Sequence, residues 1–126
     1  MKPMRLSLAA LAVVALLAAC GGSPPSPSTV DPADADVTIT ADDLAFDQST
    51  ITVPAGEDFT IALVNLEAAQ HNVAIYADSS ASEELFVGDY AGEGTIVYEV
   101  PALEPGEYFF RCDLHPEMTG TLIVEG

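Results

Sequence analysis

Basic residues are almost absent from this chain. Its 126 residues include three Lys or Arg against twenty Asp or Glu, a formal net charge of −17. That balance excludes nucleic acid as a ligand, because a phosphate backbone is bound through clusters of Lys and Arg. Histidine is scarce too: His71 and His115 are the only two. Cysteine is limited to Cys20 and Cys112, so one disulfide at most is available. No stretch places apolar residues at helical spacing over a useful length, which argues against a helical domain. The apolar run at residues 6–17 is too short for a comfortable membrane span.

What the chain does have at its start is a targeting pattern. Lys2 and Arg5 form a short positive region ahead of the apolar run. Leu17-Ala18-Ala19-Cys20 follows, and it resembles a bacterial lipobox, in which the cysteine is lipidated and becomes the first mature residue. A conventional signal peptide cut at small residues is the alternative. The cysteine directly after Leu-Ala-Ala favours the lipoprotein. Residues 1–19 are then a lipoprotein signal peptide, and Cys20 is the lipid anchor that holds the protein to a membrane. Residues 20–35 hold four prolines in a Ser-, Gly- and Asp-rich run, and read as a partly stiffened tether. Residues 36–126 form one domain, expected in the cell envelope and facing the periplasm or the exterior.

Removing the first nineteen residues leaves Arg111 as the one base against twenty acids, a formal charge of −19. Such a charge can steer a protein toward a basic partner. The acids are spread through the domain rather than massed in one run, which favours a solvated acidic surface instead. A monomer is expected.

From Asp36 onward the pattern is short alternating runs broken by turn residues, the mark of an all-β sandwich. Val37-Thr38-Ile39-Thr40 and Thr50-Ile51-Thr52-Val53 alternate, the latter ending at Pro54-Ala55-Gly56. Leu44-Ala45-Phe46 follows an acidic turn. Phe59, Ile61 and Leu63 share a parity, as do Ile96, Tyr98 and Val100, and Leu122-Ile123-Val124 closes the domain. Residues 78–90 read as irregular, with one short helical turn around Ser82-Glu83-Glu84. Leu103-Glu104-Pro105-Gly106-Glu107-Tyr108 resembles the tyrosine corner of Greek-key sandwiches, where a Tyr hydroxyl bonds to upstream backbone. The expectation is a Greek-key β-sandwich of about seven to eight strands.

Both histidines and the domain's cysteine fall where chemistry can use them together. Cys112-Asp113-Leu114-His115-Pro116-Glu117-Met118 places a thiol, an imidazole and a thioether at i, i+3 and i+6, able to converge from one short loop. Tyr108, Phe110 and Cys112 share a parity, so the thiol lies at the end of a core-facing strand. His71, Val73 and Ile75 share another, and His71 can arrive from a neighbouring loop. Two imidazoles, a thiolate and a weak axial thioether are the donor set of a blue-copper electron-transfer centre. Soft sulfur suits Cu(I), while imidazole suits both oxidation states, so little need move as an electron comes or goes. Taken singly, a buried Cys is more often a small core hydrophobe, and a lone His or Met is more often structural. Zinc also takes Cys and His, but thioether matches it poorly.

The segment resembles the C-terminal ligand loop of the cupredoxins, with the two-residue gaps of their short-looped, amicyanin-like branch. The resemblance covers roughly residues 36–126. It implies one copper ion held by His71, Cys112, His115 and axial Met118, with the His-Asn-Val at residues 71–73 supplying the first imidazole. It implies that Asn72 ties the two ligand loops together, often through a Ser or Thr after the cysteine. Asp113 stands at that position here. Its carboxylate can still accept from the amide, but it puts negative charge near the metal and favours Cu(II), unless it points to solvent or pairs with Arg111. The carbonyl of Gln70 is a candidate distant contact. Pro116 has no N–H and restricts the loop. Electrons are expected to leave through His115, at an apolar patch made with Leu114, Pro116 and the Ala68-Ala69 loop, toward protein redox partners. With Cys20 and Cys112 both occupied, no disulfide is expected.

Two other functions were open. A copper chaperone, scavenger or storage module tends to be Met- or His-rich and exposed, whereas this domain has one Met and a closed set of four. A copper enzyme needs further histidines, or a second bridging cysteine, and none is left over. The chain is therefore not expected to be an enzyme.

Overall fold

In the computed structural model, which describes residues 30–126, the period-two patterns become strands with one face in the core. In β1 (Val37–Asp42), Ile39 and Ala41 are buried while Thr38 and Asp42 are exposed. β3 (Thr50–Pro54) buries Ile51 and Val53 and leaves its other three residues in solvent. β9 (Thr119–Glu125) buries Leu122 and Val124. β4 (Phe59–Asn65) lies inside its sheet and is buried almost along its whole length.

Nine strands are present among the described residues. The remaining five are β2 (Ala45–Phe46), β5 (Ala74–Tyr76), β6 (Glu84–Val87), β7 (Gly94–Val100) and β8 (Gly106–Arg111). They make a four-stranded sheet in the order β2-β1-β4-β7 and a five-stranded sheet in the order β3-β9-β8-β5-β6. Each sheet is mixed, with β1 parallel to β4, β3 parallel to β9, and the other pairs antiparallel. Side chains of both sheets meet in one core that includes Ile39, Ile61, Leu63, Ile75, Phe110 and Leu122. Among the described residues there is no α-helix, only a single 3₁₀ turn at Pro32–Asp34 that buries nothing. The signal peptide and Cys20 fall outside the described residues.

One expectation is corrected. The segment read as irregular with a helical turn at residues 82–84 contains β6, an edge strand antiparallel to β5. The turn before it is real but not helical: Ala77 N–H donates to Glu83 O at 3.1 Å and closes a hairpin. Leu85-Phe86-Val87 is a run of strand formers too short to show alternation. Pairing with β5, not local pattern, decides its conformation. β6 and the two-residue β2 together raise the strand count above the seven to eight expected.

Two details fix the strand that leads to the candidate site. Tyr108 Oη donates to Glu104 O at 2.7 Å, which is the tyrosine corner, and pins the start of β8. Across the β8–β9 pair, Gly120 stands opposite Phe110. A Cβ on Gly120 would collide with the outer edge of the Phe110 ring, so glycine is what leaves room for that ring beside β9.

Candidate metal centre

The register of β5 against β8 brings the donors together. Ala74 pairs with Arg111 in antiparallel fashion. The chain leaving β8 at Cys112 therefore runs past the chain entering β5 at His71–Val73. His71 is clamped by a two-way backbone bridge to Ala91, with N···O distances of 3.0 and 2.8 Å. The loop from Cys112 to Met118 closes on itself. His115 N–H donates to Cys112 O at 3.2 Å, Met118 N–H to His115 O at 2.9 Å, and Cys112 N–H to Met118 O at 3.0 Å. Two successive turns thus fold Met118 back beside Cys112.

Cys112 Sγ lies 3.7 Å from His71 Nδ1 and 3.6 Å from His115 Nδ1. The three donor atoms lie within 4.8 Å of one another. A first-row ion bonded to nitrogen and sulfur at ordinary lengths, with angles between tetrahedral and trigonal, separates N from S by about 3.6–3.8 Å. The pocket is thus already spaced for such an ion. His71 and Cys112 are fully buried, Met118 is 2% exposed and belongs to the same core cluster as Cys112, and His115 is half-buried. A buried thiol facing two imidazole nitrogens, with Met118 packed in the same core, is a soft mixed set that suits copper in both oxidation states.

The sequence reading missed Glu67. Its Oε1 lies 2.6 Å from His71 Nε2 and also accepts Leu44 N–H at 3.0 Å. A carboxylate there accepts a hydrogen bond from Nε2–H and leaves the Nδ1 lone pair to face Cys112, as outer partners of metal-binding imidazoles do. The Leu44 amide, and then His71, hold the Glu67 carboxyl below its ordinary range. Leu44 and Asp43 form the two-residue β1–β2 turn, both at positive φ (54° and 51°). Asn65 braces the same loop. Its Nδ2 donates to Ala69 O and Ala91 O, and its Oδ1 accepts Glu67 N–H. The four-residue step from Glu67 to His71 carries no meaning in an irregular loop, so no sequence signal marked this contact.

Asn72 is buried and joins the two loops, chiefly through backbone. Its Oδ1 accepts Asp113 N–H at 2.9 Å, and its Nδ2 donates to Gly88 O at 3.0 Å. The amide-to-carboxylate contact with Asp113 Oδ2 is 3.5 Å, too long to count for much. Asp113 faces Arg111 instead, with Nε to Oδ1 at 3.1 Å, and accepts Tyr76 Oη at 2.6 Å. Gln70 precedes His71 and is exposed. Leu114 (47% exposed) and Pro116 flank His115 at the surface.

The family model for the cupredoxin-like domain matches residues 7–124. Amicyanin of Paracoccus versutus is 34% identical over 94 residues, spanning 75% of this chain and 67% of that protein. Its crystal structure superposes with a TM-score of 0.59, over 75% of this chain and 85% of that one. Auracyanin A of Chloroflexus aurantiacus, described as a "blue" copper protein, is 25% identical with a TM-score of 0.60, over 70% of this chain and 96% of that one. Auracyanin from Roseiflexus castenholzii, 24% identical, shares the fold with a TM-score of 0.64, over 71% and 96% of the two chains.

Proposed function

Because this chain belongs to the cupredoxin family, we propose that it is a membrane-tethered blue copper protein that carries single electrons between protein partners outside the cytoplasm. The observation that carries this reading is the convergence of His71 Nδ1, Cys112 Sγ and His115 Nδ1 within 4.8 Å. Met118, buried in the same core cluster as Cys112, would supply the fourth donor, a thioether. Bound copper supplies the one-electron couple. Everything else falls to the chain. Burial excludes water from Cys112 and His71. Glu67 and the Ala91 bridge hold the first imidazole in one tautomer and orientation. The closed Cys112–Met118 loop holds the other three donors at fixed spacing, so neither oxidation state finds a markedly better geometry.

His115, half-buried between exposed Leu114 and Pro116, is the exit for the electron. Storage or chaperone duty would call for donors open to exchange. Burial of three of the four donors speaks against it, and catalysis would call for further donors, whereas both histidines and the domain's cysteine already belong to this set.

The test is reconstitution with Cu(II). The wild-type chain gives an intense thiolate charge-transfer band, and Cys112→Ser abolishes it while the metal-free fold survives. An intense band retained in Cys112→Ser would refute the assignment. For the tether, Cys20→Ser is expected to move the domain out of the membrane fraction or leave it uncleaved. A fractionation pattern identical to wild type would remove the lipid anchor.

A further inference from the structure

Arg111 is the only Lys or Arg among residues 30–126. In a domain this rich in acids it has many possible partners, yet it pairs with the one carboxylate directly after Cys112. Its Nε lies 3.1 Å from Asp113 Oδ1, and its guanidinium carbon sits 4.9 Å above the Tyr76 ring. Tyr76 is itself buried and donates its hydroxyl to the same Oδ1 at 2.6 Å. The Asp113 backbone is fixed by Asn72 Oδ1 at 2.9 Å. Asp113 is thus held from three sides, in a half-buried setting where charge is weakly screened.

We propose that Arg111 is a positioning residue that neutralises Asp113 and thereby sets the reduction potential of the copper site. This rests on the assignment of Cys112 as a copper ligand. A lone carboxylate beside the thiolate would stabilise the more highly charged oxidised ion. A guanidinium fixed against that carboxylate cancels most of its field at the metal. Tyr76 locks the pair by occupying Oδ1 and by stacking under the guanidinium. An ion pair in a half-buried place adds little net stability, so its worth here lies in the electrostatics of the centre.

The experiment measures the reduction potential and visible spectrum of copper-loaded wild type, Arg111→Gln, Arg111→Lys, Asp113→Asn and the Arg111→Gln/Asp113→Asn double variant. At a fixed applied potential, Arg111→Gln is expected to lower the reduced-to-oxidised ratio by about threefold to tenfold, and Asp113→Asn to raise it by a similar factor. The double variant and Arg111→Lys are expected to stay within about twofold of wild type, because the net local charge is kept. Opposite signs in the two single variants are the signature of charge. A merely structural role would perturb both in the same direction. An intact blue band with unmoved potentials would overturn the proposal, as would shifts of the same sign or an Arg111→Lys shift as large as that of Arg111→Gln. Absence of the blue band from wild type would instead defeat the copper–thiolate assignment on which the proposal rests.

Discussion

Met118 is the residue whose role is most exposed to a single substitution. It is buried beside Cys112 and reaches the site only because the loop folds back through its own backbone bonds. Met118→Leu keeps the volume and the dryness but removes a polarisable sulfur that supports Cu(II). The blue colour is expected to survive and the potential, measured by redox titration, to rise. Met118→Gln offers an oxygen donor and is expected to lower it. An unchanged potential in Met118→Leu would show that the thioether is not an axial ligand. At this scale the sequence was informative where donors were rare or adjacent. Cys112, His115 and Met118 sit within one loop, and His71 is the only other imidazole. It was silent on Glu67 and Tyr76, because a carboxylate and a phenol are common residues whose partners depend on how the loops pass in space. For Asp113 it left three outcomes open, the Asn72 amide, solvent or Arg111, and the fold brings the carboxylate to Arg111 and Tyr76 with the Asn72 amide 3.5 Å away.

Among the elements, the strands with one solvated face were legible and the edges were not. β1 and β3 show alternation because one side of each is largely solvated, whereas β9 was read from the apolar run Leu122-Ile123-Val124. β6 shows no alternation, because four residues on a sheet edge are ordered by β5 rather than by their own pattern. The turn that feeds β6 carries a small electrostatic device. Asp78 Oδ1 accepts both the hydroxyl and the amide of Ser80, and these two bonds, the hydroxyl first, hold its carboxyl below the ordinary 3.8. A depressed value means that folding favours the ionised form. The contribution is therefore complete above 3.8 and is lost as pH falls through the lower, folded value. Asp78→Ala is expected to be slightly less stable than wild type in denaturant melts near neutrality, and the gap is expected to narrow in acid. A gap constant across that range would show that the ionised carboxylate adds nothing to the turn.

For the molecule as a whole, the outstanding property is a formal net charge of −17. Exposed acids lie at both ends of the sandwich: Asp42 at the end of β1 and Asp43 in the turn after it, beside Leu44 and Glu67 near the site, and Glu57 and Asp58 before β4 at the far end. Exposed acid is therefore not confined to the end that carries the site. Electron-transfer rates with a basic partner are expected to fall as ionic strength rises, with Asp43→Asn and Glu57→Gln lowering the low-salt rate by similar, small amounts. A much larger effect at Asp43 would reveal a local docking role. Net charge was readable from composition, whereas its even spread over both ends required the fold. The order of the five-stranded sheet has a further bearing, on when the site comes into being. β9 lies between β3 and β8, and its pairing with β3 joins segments about seventy residues apart, the kind of distant contact that folds late. The Cys112–Met118 loop ends where β9 begins. The loop that carries three of the four donors is therefore anchored at one end by β8 and at the other by β9. Its spacing is on this view complete only when the five-stranded sheet is, so the donor cluster is a late product of folding.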